Sequence, residues 1–120
     1  MMRLKLMRLK QRADFLAAAA GPKVPAAGFI LQVRERGDTT PARFGFTVSK
    51  KVGNAVERNR ARRRLREVVR LAATLAGEAG HDYVLIGRRA ALALPFGRLQ
   101  VEFTGALKRA HGKQRAAARP

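Results

Sequence analysis

The residue order predicts an α+β fold, a single small sheet with helices packed on it as a sandwich. Two patterns carry that expectation. Apolar residues alternate at period two over residues 29–36 and 43–49 and fill 82–87, as strands do, and they recur at helical spacing over 55–75 and 99–110. A length of 120 residues adds that one domain holds all of them. The expected organisation is a basic arm over residues 1–10, one domain over 11–111, and a basic disordered tail over 112–120.

Taken in order, residues 1–10 alternate apolar and basic side chains without a stop signal and are expected to form a mobile arm. Gln11 to Ala20 is rich in alanine and predicts a short helix ended by Gly21-Pro22. On that helix Phe15 is either a core residue or a ring open to a base. Phe29 to Arg36 sets Phe29, Leu31 and Val33 against Ile30, Gln32, Arg34 and Arg36, a half-buried strand closed by the turn Gly37 to Pro41. Arg43 to Ser49 puts Phe44, Phe46 and Val48 on a core face and Gly45, Thr47 and Ser49 on the other. That second face is a floor of small residues, suited equally to a packed helix or to an extended backbone lying beside Lys50 and Lys51. Asp82 to Gly87 is apolar on both faces, which predicts a strand central in its sheet, and Arg88-Arg89 closes it with a small basic cluster. After Pro95, Leu99, Phe103, Ala106 and Ala110 mark the inner face of a last helix.

The centre of the chain is the helix that follows Lys50-Lys51-Val52-Gly53-Asn54. Gly53 suits a turn, Asn54 an N-cap, and Glu57 completes a capping box, so the helix is expected to start at Ala55. Ala61, Leu65, Val68, Ala72 and Leu75 share its inner arc, with Val69 and Leu71 at the borders. Asn59, Arg62, Arg63, Arg66 and Arg70 fall opposite, while Arg58, Arg60 and Arg64 flank the stripe. Arg58, Arg62, Arg66 and Arg70 form an i, i+4 ladder of like charge, each step costing an isolated helix about 0.2–0.5 kcal/mol. Something anionic is needed to cover it. Guanidinium groups grip phosphate bidentately and stack on bases, so the expected partner is nucleic acid.

Composition agrees. The formal net charge is +18, from 26 Lys+Arg against 8 Asp+Glu, which favours a polyanion. The absence of cysteine removes disulfides and thiolate metal sites and fits a reducing cytoplasm. No apolar run reaches the roughly 18 residues of a membrane span, and Leu16 to Gly21 is too short for a signal peptide. His81 and His111 have no partner at a catalytic spacing and are expected at the surface. The carboxylates are scattered, so neither a metal site nor a catalytic residue is expected in the chain.

The run from Phe44 to Glu67, with Ser-Lys-Lys, Gly-Asn-Ala-Val and Arg-Asn-Arg in succession, closely resembles the bacterial ribonuclease P protein component. The resemblance implies a fold like the second domain of a ribosomal small-subunit protein, with a left-handed β-α-β crossover around the arginine helix. It implies the protein subunit of a ribonucleoprotein endonuclease that removes the 5′ leader of precursor tRNA, with Mg2+ chemistry in the catalytic RNA and no cofactor on the protein. The RNA-binding residues implied or expected are Lys50, Lys51, Asn54, Arg58, Asn59, Arg60, Arg62, Arg63, Arg66 and Arg70. Leader-binding candidates are Arg12, Phe15, Phe44, Phe46, Arg88 and Arg89. The partners are the ribonuclease P RNA and precursor tRNA, with no membrane and no protein partner implied. This chain departs from the family pattern at Ala19 and near Gln32, where an aromatic is often found, and at Arg62, often a lysine. Stacking would then be weaker, or carried by Phe29, Phe44 or Phe46. The alternative is a ribosomal-RNA-binding or ribosome-assembly protein; a DNA-compacting protein and a self-sufficient endonuclease are further readings of the same basic face.

Overall fold

The computed structural model describes residues 7–72 and 78–118. Five strands form one mixed sheet: β1 (Met7–Arg8), β2 (Lys23–Ala26), β3 (Phe29–Glu35), β4 (Arg43–Val48) and β5 (His81–Gly87), in the order β1-β4-β5-β3-β2. β4 and β5 are parallel neighbours joined through α2 (Ala55–Leu71), and β1 adds to β4 in parallel. β2-β3 and β3-β5 are antiparallel. β5 is central, as its doubly apolar pattern requires.

The sheet separates two packing layers by the alternation of its side chains. Phe29, Leu31, Val33, Phe44, Val48, Tyr83 and Leu85 face α2 and α3 (Phe96–Ala118), and bury Ala61, Leu65, Val68, Leu99, Phe103, Ala106 and Ala110. Leu9, Val84 and Ile86 face α1 (Arg12–Ala19), where they meet Ala18 and Phe15. The inner stripes of both long helices are those expected, except that Leu71 is half exposed and Leu75 lies outside the described residues.

Several expectations need correction. Of the basic arm, residues 1–6 lie outside the described part, while Met7–Arg8 pair with Arg43 and Phe44 and Leu9 is buried. The apolar-basic alternation of that stretch was a strand signal, completed by the open edge of β4. β2 went unseen because Pro25 argues against a strand; it is tolerated here because β2 is the other edge of the sheet. The tail is helical as far as Ala118, since Ala116, Ala117 and Ala118 continue α3 at little entropic cost. Neither histidine is a plain surface residue. His81 starts β5 at 9% exposure, and His111 Nε2 lies 2.7 Å from the hydroxyl of buried Tyr83.

Candidate nucleic-acid interface

α2 is held rigidly at its start. Asn54 Oδ1 accepts from the Glu57 N–H at 2.9 Å, and Glu57 Oε1 accepts from the Asn54 N–H at 3.1 Å. Gly53 has φ 151°, and a Cβ there would fall 2.4 Å from Glu57 Oε1, so glycine is what lets the box close. Asn54 is thus spent on the cap through its side-chain oxygen. The 3₁₀ turn Lys50–Val52 precedes it, with Lys50 and Lys51 exposed.

The arginines divide by what they already hold. Arg64 turns inward, its Nε donating to the Ala91 carbonyl at 2.9 Å and its Nη2 to the Leu94 carbonyl, and so clamps the 3₁₀ turn Arg89–Leu92 to α2. Arg58 donates to the Gly53 carbonyl at 3.0 Å and Arg62 to Asn59 Oδ1 at 2.9 Å. Arg70 pairs with Glu67, whose carboxyl is lowered by that hydrogen bond and charge. Asn59, Arg60 and Arg63 are exposed. Arg66 lies with its guanidinium carbon 5.9 Å from the centroid of the Phe46 ring. Burial lowers its pKa, and the charges of Arg8, Arg62 and Arg63 push the same way. A guanidinium lowered first by burial and then by neighbouring cations is one that a nearby anion would favour in its charged form.

Most of the remaining basic clusters are not equivalent to it. Arg34, Arg36 and Arg43 converge on Asp82, which has no exposed side-chain surface; Arg43 grips it through two hydrogen bonds of 2.8 Å. Asp14 on α1 adds contacts of 3.2 Å to Arg34 and 3.5 Å to Arg43, and Asp38 pairs with Arg36. Charge is therefore compensated at the start of β4 and β5, where Arg43 and Asp82 stand in register. At the other end of these parallel strands lie Lys50, Lys51, Arg88 and Arg89, all exposed. Arg89 donates to the Val52 carbonyl at 2.7 Å and sits 3.5 Å from Glu57, which places it beside the start of α2.

On the α1 side, the half-buried Phe15 ring lies against Gly45, where a Cβ would come within 2.6 Å of it. Beyond Phe15 the sheet presents Ile30, Ile86 and Thr47, in register across three strands, with Ile30 and Ile86 half-buried and Thr47 exposed. This trough is the floor expected from the sequence, shortened at Gly45 by Phe15. Arg12 is exposed at the start of α1. Phe44 belongs elsewhere: it is 4% exposed and stacks on Tyr83 at 5.1 Å between ring centroids, which leaves no face for a base. Phe29 is fully buried as well, so among the described residues Phe15 is the aromatic ring on this side, while half-buried Phe46 lies on the opposite face with Phe44 and Val48, beneath Arg66. Sequence reasoning missed the inward turn of Arg64, because helical projection places it at a border and cannot see the 89–94 segment.

Among the described residues no group of three or more His, Cys, Asp or Glu is arranged to hold a metal ion, and no helix is long and apolar enough to cross a membrane. Fold and site together define a small basic α+β protein with a cationic helix face, the class to which a polyanion is complementary. Comparison with known proteins narrows the class. A family model described as Ribonuclease P matches residues 4–111. The ribonuclease P protein component of Gluconacetobacter diazotrophicus is 51% identical over 104 residues, covering 86% of this chain and 90% of its own length. That of Paramagnetospirillum magneticum is 49% identical over 119 residues, covering 95% and 90%. Among solved structures, the Staphylococcus aureus RNase P protein superposes with a TM-score of 0.73 at 30% identity, covering 88% of this chain and 96% of that one. The Thermotoga maritima RNase P protein gives 0.73 at 29%, covering 85% and 96%. The chain belongs to the ribonuclease P protein family. It is accordingly a protein subunit of a ribonucleoprotein endoribonuclease of tRNA processing, associated with the ribonuclease P RNA.

Proposed function

We propose that α2 and the turns beside it bind the catalytic RNA, while the trough beside Phe15 receives the single-stranded 5′ leader of precursor tRNA. The observation that carries this reading is the uneven distribution of charge. Asp14, Asp38 and Asp82 neutralise the arginines at one end of the sheet, and among the described residues Arg60, Arg62, Arg63 and Arg66 on the helix at the other side pair with no carboxylate. Lys50, Lys51, Arg58, Asn59 and Arg70 extend the RNA-binding set, and Arg88 and Arg89 join it by their position beside α2. Phe15 is the stacking ring of the trough, with Phe46 a second candidate on the α2 side beside Arg66, and Arg12 is a phosphate contact at the mouth of the trough.

The phosphodiester hydrolysis would be carried by Mg2+ on the RNA subunit, as the resemblance to the family implies. The protein's part is to neutralise phosphates so that two polyanions meet with fewer counterions. Cleavage of a precursor tRNA at low magnesium, with RNA subunit and protein together and each alone, tests it. Cleavage restored only by both supports the reading; no enhancement by the protein overturns it and favours a ribosomal-RNA partner.

A further inference from the structure

On the α1 side of the sheet the side chains stand in rows that cross β3, β5 and β4. Arg34, Asp82 and Arg43 form the first row, Gln32, Val84 and Gly45 the second, and Ile30, Ile86 and Thr47 the third. α1 meets the first two. Asp14 Oδ1 lies 3.2 Å from Arg34 Nη1 and 3.5 Å from Arg43 Nη2, and both arginines also reach the buried Asp82 carboxylate between them. Phe15, the next residue, lays its ring over Gly45 in the second row. The third row is left open as the trough. Successive rows are about 6–7 Å apart along a strand, so a small slide of α1 would cover the trough or lengthen it. Little else fixes the first turn of α1. The helix has eight residues, too few to persist without tertiary support. Its Gln11 N-cap makes no side-chain hydrogen bond, and its fully buried side chain, Ala18, lies near the other end. That end is tied separately, where the Pro22 carbonyl accepts from the Val33 N–H at 3.1 Å.

We propose that Asp14 is a positioning residue for the substrate. By anchoring the first turn of α1 to Arg34 and Arg43 it holds the Phe15 ring at Gly45, and so sets where the trough ends and where the ring meets the leader. The inference rests on the leader-binding reading of the trough proposed above. Asp14 touches no substrate, because its carboxylate is engaged by the two arginines and acts through its neighbour in the chain. Asp82 makes the anchor rigid, since it has no exposed side-chain surface and holds Arg36 and Arg43 as well as Arg34 in place. The side chains of Asp14 and Arg34 keep 21% and 32% of their exposure, so water partly screens the tie and its strength is modest. Such a contact directs a short helix more than it stabilises the whole fold.

The test uses holoenzyme reconstituted from the full chain and a ribonuclease P RNA, and measures the ratio of dissociation constants for mature tRNA and leader-bearing precursor. Asp14→Ala is expected to lower the preference for precursor about three- to fivefold, with affinity for the RNA subunit unchanged. Asp14→Asn keeps the oxygen that accepts from both arginines and should recover most of the loss. Arg34→Gln weakens the same anchor from β3, leaves Asp82 its bonds to Arg36 and Arg43, and should shift the ratio in the same direction. Because the effect runs through the ring, Asp14→Ala should cost nothing further in a Phe15→Ala background. In the free protein, the Gly45 amide resonance reports the ring above it by NMR, and it should move in Asp14→Ala and move less in Asp14→Asn. An unchanged preference, equal losses on precursor and mature tRNA, or a full additional loss in the Phe15→Ala background overturns the proposal, and so does a Gly45 resonance that stays in place. If the wild-type holoenzyme shows no preference for precursor, the leader-binding reading fails instead, and the Gly45 resonance still decides whether Asp14 anchors the ring.

Discussion

Asp82 is the side chain whose environment most constrains the fold near α1. Burial would raise its carboxyl, but hydrogen bonds and charge from Arg43 and Arg36 more than offset that and hold it below its ordinary 3.8. A carboxyl depressed in the folded state stabilises above its unfolded pKa, and that contribution is lost as pH falls through the folded value. Unfolding monitored by urea should therefore show stability declining below about pH 4, with a smaller decline in Asp82→Asn. At neutral pH that substitution should cost about 1–3 kcal/mol, because buried Arg36 and half-buried Arg43 lose a charged acceptor while keeping other partners. Tyr83 acts in the opposite sense: burial raises its hydroxyl to about 12, so its contribution is intact below its ordinary 10.0 and is lost as pH rises through about 12. Replacement by phenylalanine should remove that alkaline step. Phe15→Ala is expected to reduce discrimination between precursor and mature tRNA by about 1–3 kcal/mol, measured as a ratio of dissociation constants. Equal losses on both substrates would make the ring purely structural. None of these partners is close in sequence, which is why Asp82 read only as the start of a strand and His111 as a surface residue.

At the scale of elements, α2 was the most legible part of the chain. Its cap, its stripe and its cationic face follow from local spacing alone, and the capping box closes as expected. Local spacing could not show which arginines are occupied. Arg62→Ala/Arg66→Ala should weaken RNA binding and flatten the dependence of log K on log salt by roughly one to two units, with the fold intact by circular dichroism. Arg64→Ala should do the reverse, lowering stability by about 1–3 kcal/mol through its lost clamp on Ala91 and Leu94 while changing the salt slope little. The short edge strands were the least legible elements. β1 and β2 have two and four residues, so neither holds enough periodicity to stand out, and both depend on hydrogen bonds offered by a neighbour already in place.

Across the whole molecule, the sheet divides the chain into a compensated end and an uncompensated side. With a net charge of +18, the folded state is self-repelling until a polyanion arrives. Added ribonuclease P RNA should thus raise the melting temperature of the protein, an effect that mass action predicts for any ligand of the folded state and that salt should erode. The same charge predicts that the magnesium concentration for half-maximal precursor cleavage falls when the protein is present, and that less of this fall survives in Arg62→Ala/Arg66→Ala. Titration of cleavage rate against magnesium measures both.

By itself the sequence determined the fold class, the inner faces of α2 and α3, the centrality of β5 and the identity of the partner as a polyanion. Those properties depend on periodicity, capping and composition, which act over a few residues or over the sum of all of them. Only the tertiary structure decided that Phe44 is core and Phe46 is not, that Arg64 holds a turn while Arg66 lies over Phe46, and that Arg8 reaches the arginine helix at all. Each of those depends on contacts between residues far apart in the chain, and a side chain's freedom to meet RNA is what remains after such contacts are made.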